Sequence, residues 1–229
     1  MHNPTTFSSP CTIRTSIICV LLITFLFQCG SLLAQGSVTP DEALKRLKEG
    51  NNRFVTGKSA RPRQDNSRIK EVADSQYPFA TIVGCSDSRV PNEIIFDQGL
   101  GDLFIVRTAG QVSTYASWGS IEFAEEILGT KLIVVLGHTK CGAVTAAVNL
   151  PEVKGHIITL INAIKPAVAK AKAKEPSSVL TAAIRENIIM QVEQLRTLEP
   201  LLSKAVENGS VKIMGALYDL NTGKVEFFE

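Results

Sequence analysis

Leu132-Ile133-Val134-Val135-Leu136-Gly137-His138-Thr139-Lys140-Cys141-Gly142 reads as a short buried strand that empties, with no spacer, into a glycine-flanked polar loop. An unbroken, largely β-branched apolar run of this length suits a strand covered on both faces, as in a parallel sheet. Upstream, Phe79-Ala80-Thr81-Ile82-Val83 has the same form and runs into Gly84-Cys85-Ser86-Asp87-Ser88-Arg89. Leu103 to Val106 and Val211 to Tyr218 read as two further strands. Between them lie segments of helical spacing: Ser117 to Leu128, Ala143 to Val148, Ile157 to Ala173 and Ser178 to Leu198. Pro166 is expected to kink or divide the third of these, and Pro200 to follow the end of the last. Asn221-Thr222-Gly223 then turns the chain into Lys224 to Phe228, an antiparallel edge strand. Apolar strands alternating with helices predict an α/β fold, a mostly parallel β-sheet flanked by helices. Ligands in such sheets gather beyond the carboxyl ends of the strands.

Toward the N-terminus, Thr39-Pro40-Asp41-Glu42 is a helix start: Thr39 caps, Pro40 suits the first helical position and Glu42 completes a capping box. Ala43, Leu44 and Leu47 form its apolar stripe, Gly50 is expected to end it, and Phe54 belongs to a short segment reaching Gly57. Lys58 to Arg68 reads as an extended, exposed connection whose positive charges face solvent. Before all this, a polar stretch, the apolar run Ile17 to Phe27, and small residues around Ala34 and Gly36 have the order of a secretory signal peptide over residues 1–36. The alternative is a retained anchor; a lipoprotein reading on Cys29 fits poorly, since small residues should precede that cysteine. The expected location is therefore exported, periplasmic or secreted, with no membrane association after cleavage.

The chain has 229 residues and a net charge of +2, with no basic block to serve as a nucleic-acid footprint. Of its five cysteines, Cys11, Cys19 and Cys29 would leave with the signal. Cys85 and Cys141 remain, and in an oxidising compartment two cysteines read by default as one disulfide. Their neighbours favour another reading. His138 and Cys141 are three apart, so both can face one centre, and Cys85 arrives from another strand end. Two thiolates and an imidazole make a three-donor zinc site with its fourth position open, the mark of catalytic rather than structural zinc.

Cys85-Ser86-Asp87-Ser88-Arg89, followed by His138-x-x-Cys141-Gly142 and with Gly101 to Gly110 between, resembles the signature of the β-class carbonic anhydrases. The resemblance spans roughly residues 40 to 229. It implies a β-carbonic anhydrase domain over 37–229, an N-terminal helical arm laid over a partner subunit, and a homodimer or dimer of dimers. It also implies Zn2+ held by Cys85, His138 and Cys141, and reversible hydration of carbon dioxide to bicarbonate by hydroxide on that zinc. Zinc held by two thiolates carries no net charge, so it acidifies water less than zinc held by neutral histidines. Asp87 is expected to orient the nucleophile and Arg89 to hold Asp87 through a bidentate pair. If Arg89 lets go, Asp87 becomes a conditional fourth ligand in a closed state. Ala109 and Gly110 are expected to line the substrate space. Gly99 stands where plant-type relatives carry a substrate-side glutamine, with Gln98 beside it, and His156 reads as a surface histidine more readily than as a proton shuttle. Three other readings stay open: a catalytically silent zinc-stabilised scaffold, a related hydrolase of carbon disulfide or carbonyl sulfide, and a disulfide-linked export factor.

Overall fold

A computed structural model describes residues 38–150 and 152–229; the expected signal peptide lies outside the described residues. Helix α1 (Pro40–Val55) starts as expected, with Thr39 Oγ1 accepting the Glu42 amide at 3.2 Å. It does not stop at Gly50. A Cβ at that position would lie 1.8 Å from the Phe96 carbonyl oxygen, so glycine is there to let the helix sit on a neighbouring backbone.

Strands β1 (Ala80–Cys85), β2 (Leu103–Thr108), β3 (Leu132–His138), β4 (Lys212–Tyr218) and β5 (Val225–Phe228) form one sheet in the order β2-β1-β3-β4-β5. The first four are parallel, and β5 runs antiparallel to β4 at the edge, as the turn at Asn221 to Gly223 predicts. The sheet separates two apolar layers. Val83, Ile133 and Val135 face Ile161, Ile164, Ile188 and Val192 on one side. Ile82, Leu132, Val134 and Leu136 face Ala43, Leu47 and Phe96 on the other. The alternation of side chains along each strand explains why unbroken apolar runs are needed: both faces are covered.

The remaining elements are α2 (Asn66–Glu71), α3 (Asn92–Ile95), α4 (Tyr115–Glu126), α5 (Gly142–Asn149), α6 (Ile157–Lys174), α7 (Val179–Arg196) and α8 (Leu202–Glu207). Pro166 does not divide α6. Pro166 and Asn162, whose carbonyl a residue at 166 would normally satisfy, are both exposed, on a face of the helix where water can take the place of that bond. Among the described residues no helix is long and apolar enough to cross a membrane.

The connection from Lys58 to Arg68 is not merely a solvated face. Arg63 forks onto Asp102 with contacts of 2.6 to 2.9 Å, and the Ala60 and Arg61 amides both donate to Asp97 at 2.9 Å. The Asp97 side chain is only 2% exposed and also takes the Arg53 guanidinium at 2.6 Å. Burial pushes its carboxyl up, but Arg53 and the two amides outweigh burial and hold it below the usual range. Asp97→Asn is expected to cost about 2–4 kcal/mol, because it leaves Arg53 and backbone donors without their anion. A carboxyl held low in the folded state contributes its stability above the ordinary carboxylate range and loses it as pH falls. The gap between wild type and variant, measured by thermal melts, should therefore be full at neutral pH and shrink below about pH 4.

Candidate metal centre

Strands β1 and β3 are parallel neighbours with Gly84 opposite Leu136, so their last residues, Cys85 and His138, end one register step apart at the same edge of the sheet. Lys140, at φ +55°, turns the chain between His138 and Cys141. Cys141 then caps the N-terminus of α5. The donor atoms of Cys85, His138 and Cys141 all lie within 4.8 Å of one another. All three residues are buried, His138 completely.

His138 Nδ1 is 2.9 Å from the Thr139 carbonyl, which places its proton on Nδ1 and leaves the Nε2 lone pair free. That buried Nε2 has no hydrogen-bond partner among the described residues. Both cysteines are free thiols. The Cys85 thiol is held well below its ordinary range by the Cys141 thiol, with burial opposing and the Gly110 and Asp87 amides assisting. Cys141 is pushed up by Cys85 and by burial. Two thiols in one buried place keep one proton between them, because two bare thiolates repel; a divalent cation replaces that proton and lets both ionise. The free histidine lone pair, the two convergent sulfurs and their separations fit a zinc ion, whose bonds are about 2.0 Å to nitrogen and about 2.3 Å to sulfur.

Asp87 and Arg89 stand at the rim. Arg89 Nε donates to Asp87 Oδ1 at 2.9 Å, and Nη2 to Oδ2 at 2.7 Å, a two-pronged pair. Asp87 Oδ2 lies 3.7 Å from His138 Nε2. The Arg89 guanidinium, against the pull of burial and helped by the Arg89 amide, holds the Asp87 carboxyl far below the usual range. One residue that sequence reasoning misses belongs here. Arg107, on β2, donates from Nε to the Cys85 carbonyl at 2.8 Å and from Nη2 to the Asp87 carbonyl at 2.7 Å. A single charge inside the strand Leu103 to Thr108 is the only signal the sequence offers for it.

The candidate substrate-lining residues divide. Ala109 is partly exposed just after β2, whereas Gly110 is buried, and its amide donates to Cys85 Sγ at 3.2 Å. Gln98 and Gly99 are engaged elsewhere: Gln98 Nε2 donates to the Phe96 carbonyl and the Gly99 amide to Asp102. His156 is exposed at the start of α6 and is not among the three clustered donors.

A parallel sheet that brings two thiols and an imidazole together at its strand ends, beside an aspartate held by an arginine, defines an α/β metalloenzyme. Residues 80–225 match the family model described as carbonic anhydrase. The chain is 40% identical over 194 residues to carbonic anhydrase 2 of Mycobacterium tuberculosis, covering 82% of this chain and 92% of that protein. It is also 40% identical over 191 residues to a carbonic anhydrase of Mycolicibacterium smegmatis, with the same coverage of both proteins. Among solved structures it is similar to a Coccomyxa β-carbonic anhydrase in complex with acetazolamide, with a TM-score of 0.66, 27% identity, and 81% and 86% of the two chains covered. The chain belongs to the β-class carbonic anhydrase family.

Proposed function

We propose that this chain catalyses the reversible hydration of carbon dioxide to bicarbonate and a proton, with zinc held by Cys85, His138 and Cys141. The observation that carries the reading is the convergence of these three buried donors, with His138 Nε2 unpartnered and the Asp87–Arg89 pair beside it. When bound, zinc supplies the Lewis acidity that makes water a nucleophile at neutral pH. Asp87 accepts a hydrogen bond from the reacting water at Oδ2 and so fixes the direction of its lone pair. Arg89 keeps that carboxylate ionised and aimed, and Arg107 holds the backbone from Cys85 to Asp87 in place. Ala109 offers a wall with little steric bulk. The test is stopped-flow carbon dioxide hydration with zinc assayed in the same sample. Rapid turnover at about one zinc per chain supports the reading; full loading without turnover overturns it.

Asp87 also serves as a conditional fourth ligand. Its carboxylate borders the donor set, so release from Arg89 would let it take the remaining position. X-ray absorption across pH tests this: a donor set unchanged from about pH 6 to 9 excludes it.

The native unit is a homodimer or a dimer of dimers. Strand β2 is a sheet edge whose Leu103 to Val106 are only partly buried, and Phe104 packs at 6.5 Å on Phe123, which is itself 46% exposed. An apolar edge of this kind calls for cover. Phe123→Glu is expected to yield monomers in sedimentation velocity, and an unchanged dimer would place the interface elsewhere. Export is supported by the apolar run Ile17 to Phe27 and the small residues after it. N-terminal sequencing of the mature chain tests it: a start after Ala34 or Gly36 is expected, and an uncleaved N-terminus overturns it.

A further inference from the structure

Helix α7 turns an apolar face to the sheet, formed by Ala183, Ile184, Ile188, Val192 and Leu195. Two carboxamides interrupt it one turn apart, Asn187 with no exposure and Gln191 with 2%. Both grip the loop that follows β2. Asn187 Nδ2 donates to the Gly110 carbonyl at 2.9 Å, and Gln191 Oε1 accepts the Ser113 amide at 3.0 Å. Gly110 is the residue whose own amide donates to Cys85 Sγ.

We propose that Asn187 is a positioning residue for the Cys85 thiolate, acting through Gly110. This rests on the reading of Cys85 as a zinc ligand. Gly110 has φ +70° and ψ 20°, and a Cβ there would lie 2.8 Å from Ile164 Cδ1 and 3.2 Å from Ala143 Cβ. Packing thus leaves no room for a side chain at this position, and because a glycine backbone turns freely, Asn187 fixes its direction by holding the carbonyl. With the carbonyl held, the amide of the same residue points at the sulfur. An N–H···S bond stabilises the thiolate and fixes its direction, so the sulfur is held ready for the metal. Among the described residues the Oδ1 atom of Asn187 has no partner, so the side chain leaves half its amide unpaired in the core. Packing alone favours an apolar residue of the same size there; the bond to Gly110 is what the asparagine adds.

The experiment uses the full mature protein and Asn187→Leu, which keeps the volume and removes the donor. Zinc affinity is measured by competition with a chromophoric chelator, below the melting temperature of each protein. The cobalt(II)-substituted forms are compared by their sulfur-to-metal charge-transfer band. Thr81→Val, which breaks a buried hydroxyl pair with Thr130 at the opposite end of β1, controls for lost stability. Expected are a loss of zinc affinity of about 10- to 100-fold and a shifted band in Asn187→Leu, with neither in Thr81→Val. Wild-type affinity and an unshifted band in Asn187→Leu would overturn the proposal and leave Asn187 a structural residue. If that variant does not fold, Asn187→Ser takes its place: lost affinity with a shifted band supports the proposal, and wild-type values of both overturn it. A wild-type chain that fails to bind zinc stoichiometrically would instead sink the metal assignment, an outcome visible before any variant is compared.

Discussion

Cys141→Ser is expected to lose carbon dioxide hydration by a factor on the order of 10³ or more, and to give up zinc at chelator concentrations that leave the wild type loaded. The serine hydroxyl does not ionise near neutral pH and is a poor ligand for a borderline-soft cation, so the donor set falls from three to two. Among the described residues, Cys85, His138 and Cys141 are the one group of at least three metal-ligating side chains close enough to share an ion, and the carboxylate beside them, Asp87, is held by Arg89. The position is also the N-terminal cap of α5, where the amides of Ala143 and Val144 favour the thiolate. Serine is a good cap, so the fold should survive the change and the deficit should appear in the metal. The sharpest readout is the difference in melting temperature between zinc-loaded and zinc-free protein. Zinc binds the folded donor set and stabilises the wild type by mass action, and this gap should collapse in the variant. A Cys141→Ser protein that keeps about one zinc per chain and near-normal turnover would remove Cys141 from the site.

Much of this centre is legible in the chain because its donors sit where strands stop. An unbroken apolar run such as Leu132 to Leu136 announces a strand covered on both faces, and the residue at its end is then placed by topology. His138 and Cys85 meet for that reason. Cys141 follows from its spacing to His138. What stays hidden acts through backbone atoms of distant segments. Arg107 and Asn187 touch no donor atom with their side chains; one holds the carbonyls of Cys85 and Asp87, and the other the carbonyl of Gly110. No local pattern encodes such a reach, although a charge within β2 and a pair of carboxamides four apart on an apolar helix face are anomalies that ask for a reason. Gly50 misleads for the same cause. Read locally, a glycine after an apolar stripe ends a helix. The contact with Phe96 that keeps it inside α1 comes from a segment far along the chain.

Arg89→Ala should lower turnover on the order of 10²-fold, the scale of a misplaced catalytic group, while zinc content stays near one per chain. None of the three donors is touched, so retention of the metal separates this variant from Cys141→Ser. Arg89 is 53% exposed, and as an ion pair alone it would matter little to stability. Its effect falls on Asp87, which is only 16% exposed and 3.7 Å from His138 Nε2. The Arg89 fork is the largest influence holding the Asp87 carboxyl low, and burial is the chief influence against it. With the fork removed, the largest lowering influence is gone and the folded-state value rises. In the wild type, Asp87 is therefore ionised throughout the neutral range, and the stability of its pair is lost only as pH falls through the carboxylate range. In the variant, protonation begins at higher pH, so the acid limb of the activity profile should move upward. Arg89→Lys should restore little, because a single ammonium cannot make two parallel bonds to one carboxylate. Stopped-flow profiles of the three proteins, recorded with zinc content, decide the matter. A variant with wild-type turnover and an unmoved acid limb would reduce Arg89 to an ordinary exposed ion pair, and Asp87 would then have to hold its orientation by the Arg107 contact and its own backbone alone.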